Sequence, residues 1–301
     1  MSARTCDLGD RTTYLGATDI AAIVGVSPYR SPLDVYREKV EGVTGEVSHV
    51  MRWGLLMEDA ICQEAEAARG YRLVRRNEMR HPDHPFIRIH PDRLVVGQPG
   101  LFDAKSTWSH GGYGEPGDDD PDAGVLAPVP PHVRVQMTVY TGVSRREWAD
   151  VGVVRYRPPL ALYRVRHDAA LYEACVAEAV RFWHEHVLAK VPPPVDGSEA
   201  YGRYLAERFP ADDGTELVAT PEQALLVEEL ADAKAAVKAA EARARLAQQR
   251  IEEVMGEATA LLSPAGKVTW KQQTRAAHVV AESTYRAFRF TPAKGAQEEA
   301  A

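Results

Sequence analysis

Apolar and polar positions change period several times along the chain, and each change marks an element. Residues 18–24 (TDIAAIV) open on Thr18, a capping type, and predict a short helix. Ser31-Pro32 starts a second helix, PLDVYREKV, with proline at its first position. Residues 51–69 predict a long helix, with Trp53, Leu56, Met57, Ala60, Ile61, Glu64 and Ala67 on neighbouring turns. Strands are then expected over 72–80, 86–96 and 101–106, the last two joined by a turn at 97–100. Residues 131–142 predict a helix after a proline-rich entry. Residues 149–156 and 161–165 predict strands, and 168–188 an amphipathic helix. Helices and strands mixed in this order give an α/β or α+β fold.

The run VPPP at 191–194 is a natural boundary. Beyond it, 221–257 reads as one long Ala/Glu/Arg/Lys helix. Leu226, Leu230, Ala233, Val237, Ala240, Ala244, Ala247, Ile251 and Val254 follow heptad spacing, which predicts packing against the body or a neighbour. Residues 261–274 (LLSPAGKVTWKQQT) resemble a hairpin turning at Pro264-Ala265-Gly266, and the final GAQEEAA is expected to be disordered. The expected organisation is a core over 1–195, a linker and long helix over 196–262, and a hairpin and tail over 263–301.

Charge refines this picture. The 301 residues carry a net charge of −7, which argues against whole-surface attraction to nucleic acid but leaves room for a local basic channel. Residues 109–124 (SHGGYGEPGDDDPDAG) hold five acids and no Lys or Arg, and predict a flexible acidic loop without a core. Arg69, Arg72, Arg75, Arg76 and Arg80 form the opposite pole, either a solvated face or a phosphate-facing strip. No apolar run reaches the ~20 residues of a membrane span, and MSARTCDLGDRTTY has no apolar signal region. Cys6, Cys62 and Cys175 are odd in number and scattered, so neither a disulfide framework nor a zinc site is expected, and a reducing cytoplasm fits.

The candidate chemistry lies in Pro91-Asp92 followed by Asp103-Ala104-Lys105. Asp103 and Lys105 are two apart on a strand and face one side, and the hairpin brings Asp92 beside them. Two carboxylates with the Ala104 carbonyl suit a hard cation such as Mg²⁺, with Mn²⁺ as substitute. A lysine there can orient or deprotonate a water and offset phosphate charge, which implies metal-assisted phosphodiester hydrolysis. Surface carboxylates and an ordinary ion pair would produce the same short motif. Glu58, on the long helix, can complete a metal site or act as a solvent-facing charge, and its neighbour Asp59 should point elsewhere. Gln136 and Tyr140 lie one helical turn apart, placed to hold a phosphate or water, or to bond the core. Arg11 and Thr18 precede a helix, where an arginine and a hydroxyl can receive a terminal phosphate. His184 and His186 diverge on a helix, while His81, His84 and His90 lack ligand spacing.

Taken together, YLGATDIAAIVGVSPYRSPLDVYREK, MRWGLLMEDAI, HPDRLVVGQPGLFDAKS and VRVQMTVYTGV resemble the lambda exonuclease / YqaJ-like viral recombinase family of PD-(D/E)XK nucleases. The resemblance covers about residues 11–156 and continues through GKVTWKQQTR and YRAFRF. It implies a restriction-endonuclease-like core, a mixed central sheet flanked by helices, and Mg²⁺-dependent digestion of double-stranded DNA from a 5′ end. The 3′ single strand would pass to a phage annealing protein in a bacterial host cytoplasm, and processivity would come from a homo-oligomeric ring. Asp92 and Asp103 match the metal acids, Lys105 the catalytic lysine, Glu58 the supporting helix acid and Gln136 the glutamine near the scissile phosphate. Arg11 and Thr18 match the receptors of the 5′-phosphate. The family usually has Glu where Asp103 stands and often Ser where Thr18 stands. An endonuclease, or a DNA-end-binding module without turnover, are the rival readings.

Overall fold

A computed structural model describes residues 10–43, 48–107, 111–155 and 159–274. The chain divides into two compact units, Met1–Arg203 and Tyr204–Ala301. In the first, a 3-10 turn (Arg11–Thr13) leads to β1 (Leu15–Gly16) and α1 (Ala17–Ile23). Thr18 is therefore inside the helix, not its cap: the cap is Gly16, whose N–H donates to Asp19 Oδ2 at 3.0 Å. A carboxylate at the third helical position does the work expected of the Thr18 hydroxyl. α2 (Pro32–Tyr36) starts as expected, with Ser31 and Asp34 capping each other, and runs on into a π-helical turn, Arg37–Glu41.

α3 (His49–Arg69) buries Ile61, Cys62 and Ala65, whereas Trp53 and Leu56 from the expected apolar face are exposed. The fully buried positions of this helix all lie in its second half.

The strand expected over 72–80 is two short pieces, β2 (Leu73–Val74) and β3 (Met79–Arg80), separated by the polar run RRNE. The strand expected over 86–96 is likewise β4 (Ile87–Ile89) and β5 (Arg93–Val95). Pro91 causes that break, because it has no N–H to give a ladder and fixes its φ. The two halves enter different sheets. β1, β4 and β3 form a three-stranded sheet, parallel between β1 and β4.

The larger sheet adds β6 (Gly100–Ser106), β7 (Trp148–Val154) and β8 (Ala161–Arg166) in the order β2-β5-β6-β7-β8. Only β6 and β7 are parallel, so the sheet is mixed. β7 is buried along nearly its whole length, as a central strand should be, while edge strand β8 alternates buried and half-buried positions. On one face Ile61, Cys62 and Ala65 of α3 pack with Val95, Phe102 and Trp148. The approach is close: a Cβ on Gly152 would lie 2.5 Å from Phe102. α4 (Pro131–Ser144) packs with α1 and with α5 (Ala169–Phe182), and touches β7 and β8. It is buried on most sides, as expected for a helix apolar nearly all round. No described helix is long and apolar enough to cross a membrane.

The acidic loop is ordered over 111–124, contrary to expectation. Asp118 takes a two-pronged ion pair from Arg69 (2.6 and 2.9 Å), and Asp119, 7% exposed, one from Arg134 (3.0 and 3.1 Å). Asp118 also bridges to Arg164 of β8. The segment contains no cation of its own, but its partners come from α3, α4 and β8. The Arg-rich stretch is correspondingly not one strip: Arg69, Arg75 and Arg80 are paired with Asp118, Asp59 and Glu78. Arg72 and Arg76 are exposed.

α6 (Glu199–Arg208) runs across the division between the units. In the second unit, α7 (Pro221–Met255) is capped by Thr220 and Gln223. Leu226, Val237 and Val254 of its heptad seam are exposed within the single chain. Ala, Glu, Lys and Arg sustain such a helix by propensity. β9 (Ala260–Ser263) and β10 (Gly266–Thr269) form the expected hairpin, with Ser263 opposite Gly266. Cys6, YRAFRF and the final GAQEEAA lie outside the described residues.

Candidate active site

The site is built on the β5–β6 hairpin. Arg93 pairs with Phe102 and Leu94 with Leu101, so one step further along the register Asp92 is across from Asp103. Partners across an antiparallel ladder share a face, and neighbours along a strand alternate. Phe102 lies with α3, hence Asp92, Asp103 and Lys105 lie together on the opposite face. Asp92 Oδ2 accepts the Ala104 N–H at 2.7 Å, and Lys105 Nζ is 2.6 Å from Asp103 Oδ2. A strand residue directs its N–H and C=O to one edge, which puts the Ala104 carbonyl on the Asp92 side.

The charges here do not balance. Burial, then the charge of Asp103, pushes the Asp92 carboxyl well above the usual carboxylate range, against the opposing pull of Lys105 and the Ala104 N–H. Burial also disfavours the Lys105 ammonium, but Asp103 and Asp92 outweigh it and hold it above its ordinary value. Lys105 is thus firmly cationic beside the two acids, suited to orienting a water or countering phosphate charge rather than to taking a proton. Asp103 Oδ2 is buried and, apart from that ion pair, has no hydrogen-bond donor of good geometry among the described residues. A buried oxygen left in this state beside a second crowded carboxylate fits a hard divalent ion. Two carboxylates, a carbonyl and waters are an ordinary Mg²⁺ donor set.

Glu58 is close enough for its charge to act on Asp92, but its own ion pair is with Arg93. Arg93 is buried on the α3 side and donates Nη1 to Glu58 Oε1 and Nη2 to Asp59 Oδ1, each at 2.5 Å. Glu58 is therefore an ion-pair partner of Arg93 at the edge of this site, and among the described residues no three acids, histidines or cysteines converge on a metal position. Asp59 does not point away either, because a guanidinium fork spans both side chains. Gln136 and Tyr140 meet as their spacing predicts: Gln136 Nε2 donates to the Tyr140 hydroxyl at 3.1 Å, which donates to the His90 carbonyl at 3.1 Å. That chain ties α4 to the segment just before Asp92.

Arg11 is held by acids. Its Nε donates to Glu38 at 2.9 Å and its Nη2 reaches Asp19 at 3.5 Å. Arg30 bridges the same two carboxylates at 2.6 Å each, and Lys39 contacts Asp19 at 2.9 Å and Glu38 at 3.1 Å. Asp19 is fully buried; burial opposes its charge, but Lys39, Arg30, Arg11 and the Gly16 N–H together hold its carboxyl below the usual value. Three cations face two acids, and Arg11 and Arg30 remain partly exposed. Thr18 is exposed nearby in α1. The sequence reading missed Arg30, Glu38, Lys39 and Arg93. It also missed Tyr29, Tyr113 and His132, which surround Lys105 and Asp103 electrostatically. A pointer was available for His132 alone, one helical turn before Gln136.

Residues 8–147 match the model of the YqaJ-like viral recombinase domain. Over that stretch the chain is similar to YqaJ-like viral recombinases. The whole hairpin, both charged clusters and Gln136 fall within the matched residues. A curated relative, the uncharacterized protein YqaJ of Bacillus subtilis (strain 168), is 26% identical over 209 residues, which are 66% of this chain. The match spans 61% of that relative's length. Among solved structures, an alkaline exonuclease (LHK-Exo) from Laribacter hongkongensis aligns with a TM-score of 0.48 at 21% identity, over 66% of this chain and 96% of the other. A phage-related exonuclease from Haemophilus somnus aligns with a TM-score of 0.44 at 14% identity, over 59% and 96%.

Proposed function

We propose that this chain is a metal-dependent deoxyribonuclease that digests double-stranded DNA from a 5′ end and leaves a 3′ single strand. The observation that carries this is the partly buried, charge-imbalanced set Asp92, Asp103 and Lys105 on the central hairpin of a stretch similar to YqaJ-like viral recombinases. Asp92, Asp103 and the Ala104 carbonyl would hold Mg²⁺, which when bound supplies Lewis-acid polarisation of the phosphate and a more acidic water. Lys105 holds its proton and orients the water or offsets the charge building on the phosphate oxygens. Gln136, fixed by Tyr140, offers its remaining amide capacity to the substrate. The partly exposed Arg11 and Arg30, carrying the surplus positive charge of their network, would receive the 5′-phosphate beside the Thr18 hydroxyl. The product strand suits a single-strand annealing protein, and a ring-shaped oligomer would keep the enzyme on its duplex.

The test is digestion of a linear duplex with one 5′-phosphorylated and one 5′-hydroxyl end, with Mg²⁺ and with EDTA, beside a closed circle and Lys105→Ala. Mg²⁺-dependent loss of the strand from the phosphorylated end alone is expected, with the circle intact and the variant inert. Cutting of the circle would replace this reading with an endonuclease. Binding without cleavage of any substrate would leave an end-binding module.

A further inference from the structure

Tyr29 and His132 form an aromatic pair that the roles above leave unused. Their ring centroids are 5.5 Å apart and their planes 88° apart, an edge-to-face contact. Tyr29 lies in the connection between α1 and α2 and is 78% exposed, so no core claims its ring. His132 is the second residue of α4, one turn before Gln136 and two before Tyr140, on the face of the helix those residues share. Both rings are within electrostatic reach of Lys105, and Tyr113 interacts with Asp103 and Tyr29. The exposed aromatic face is therefore near enough to the carboxylate–lysine cluster for their charges to interact. An edge-to-face contact fixes one side of a pair while leaving a π-face open. Burial, then the charge of Lys105, holds the His132 imidazole below its usual range, so His132 is a neutral prop and not a phosphate-binding cation.

We propose that Tyr29, propped by His132, is a stacking platform for the base of the nucleotide whose phosphodiester is cut. Every base has a π-face, so such a platform holds the reacting nucleotide without regard to sequence, as an enzyme that removes nucleotides successively requires. The proposal rests on the nuclease reading above and adds a base subsite to it.

The experiment uses the full chain, Tyr29→Ala and Tyr29→Phe, with duplexes whose 5′-terminal nucleotide carries 2-aminopurine or is abasic. Binding and 2-aminopurine fluorescence are read in EDTA, and digestion in Mg²⁺. The wild type and Tyr29→Phe should quench the fluorophore on binding, and Tyr29→Ala should not. Tyr29→Ala should bind the base-bearing end about tenfold more weakly. The abasic end should bind the wild type as weakly as Tyr29→Ala binds either end. Retained quenching and affinity in Tyr29→Ala, or its continued preference for a base over an abasic end, would overturn the platform. A wild type that cuts DNA while Tyr29→Ala matches it sinks the platform alone. A wild type that neither binds nor cuts duplex ends sinks the nuclease reading, and the platform with it.

Discussion

Two charged clusters in the first unit differ in whether their charges are satisfied. Around Asp19 and Glu38, every carboxylate oxygen meets a cation or an N–H, and cations exceed acids. Around Asp92 and Asp103, one ammonium faces two carboxylates and a buried oxygen lacks a donor of good geometry. Their carboxyls shift in opposite directions, Asp19 down and Asp92 up. A network in which every buried carboxylate oxygen is paired holds elements together, since removing any member strands a charge. One that leaves a buried carboxylate oxygen without a good donor costs stability.

This contrast can be broken most directly by Asp103→Asn and Lys105→Ala. Each should lower the rate of duplex digestion about a hundredfold to ten-thousandfold, with the melting temperature raised in Asp103→Asn by relief of carboxylate repulsion and lowered in Lys105→Ala, which leaves two crowded carboxylates without their counter-charge. A large loss of stability in Asp103→Asn would make this cluster structural after all. Asp19→Asn should do the reverse, costing about 3–5 kcal/mol in denaturant unfolding. Next in size, Mg²⁺ at a hundredfold excess over its dissociation constant should stabilise the protein by about 2.7 kcal/mol, with EDTA reversing the gain and Asp92→Asn abolishing it.

Acid titration separates the clusters by sign. The lowered Asp19 value gives stability that is present above the unfolded carboxylate value, about 3.9, and is lost as pH falls through the folded one. The raised Asp92 value works oppositely: its cost is absent below the unfolded value and grows as pH rises through the folded one. Denaturant midpoints of the wild type should therefore fall toward those of Asp19→Asn in acid, and fall relative to Asp92→Asn as pH rises. The smallest effect sharpens the comparison from outside. Arg75 and Asp59 pair at 2.6 Å but both are largely exposed, so Arg75→Ala should stay within about 0.5 kcal/mol of wild type.

Legibility followed the range of the interaction. Asp103 and Lys105 could be placed on one face because strand alternation is local, and Asp92 joined them through a short turn. Gln136 and Tyr140 could be paired for the same reason. The ion pair of Glu58 could not be read from the sequence, because its partner Arg93 comes from another element. The acidic segment was misread because composition shows the charges it contains and not the arginines that reach it from α3 and α4. Alternation over 86–96 is real, but it does not say that Pro91 sends its halves into different sheets. Trp53 and Leu56 have helical spacing without burial, since a period identifies a face and not what covers it.

The parallel pairing of β6 with β7 has a consequence for the order of assembly. The β5–β6 hairpin closes a few residues and, like other hairpins, can form in about 1–10 μs. β7 can join β6 only after the intervening chain, with the acidic segment and all of α4, has doubled back, and such nonlocal closure is slow. The two acids and the lysine are therefore neighbours first in an open, hydrated ribbon, where water screens the carboxylates from each other. Their mutual repulsion strengthens when the crossover folds down and takes water away from them. The close approach of these three side chains therefore depends on a distant stretch of the chain as well as on their own hairpin.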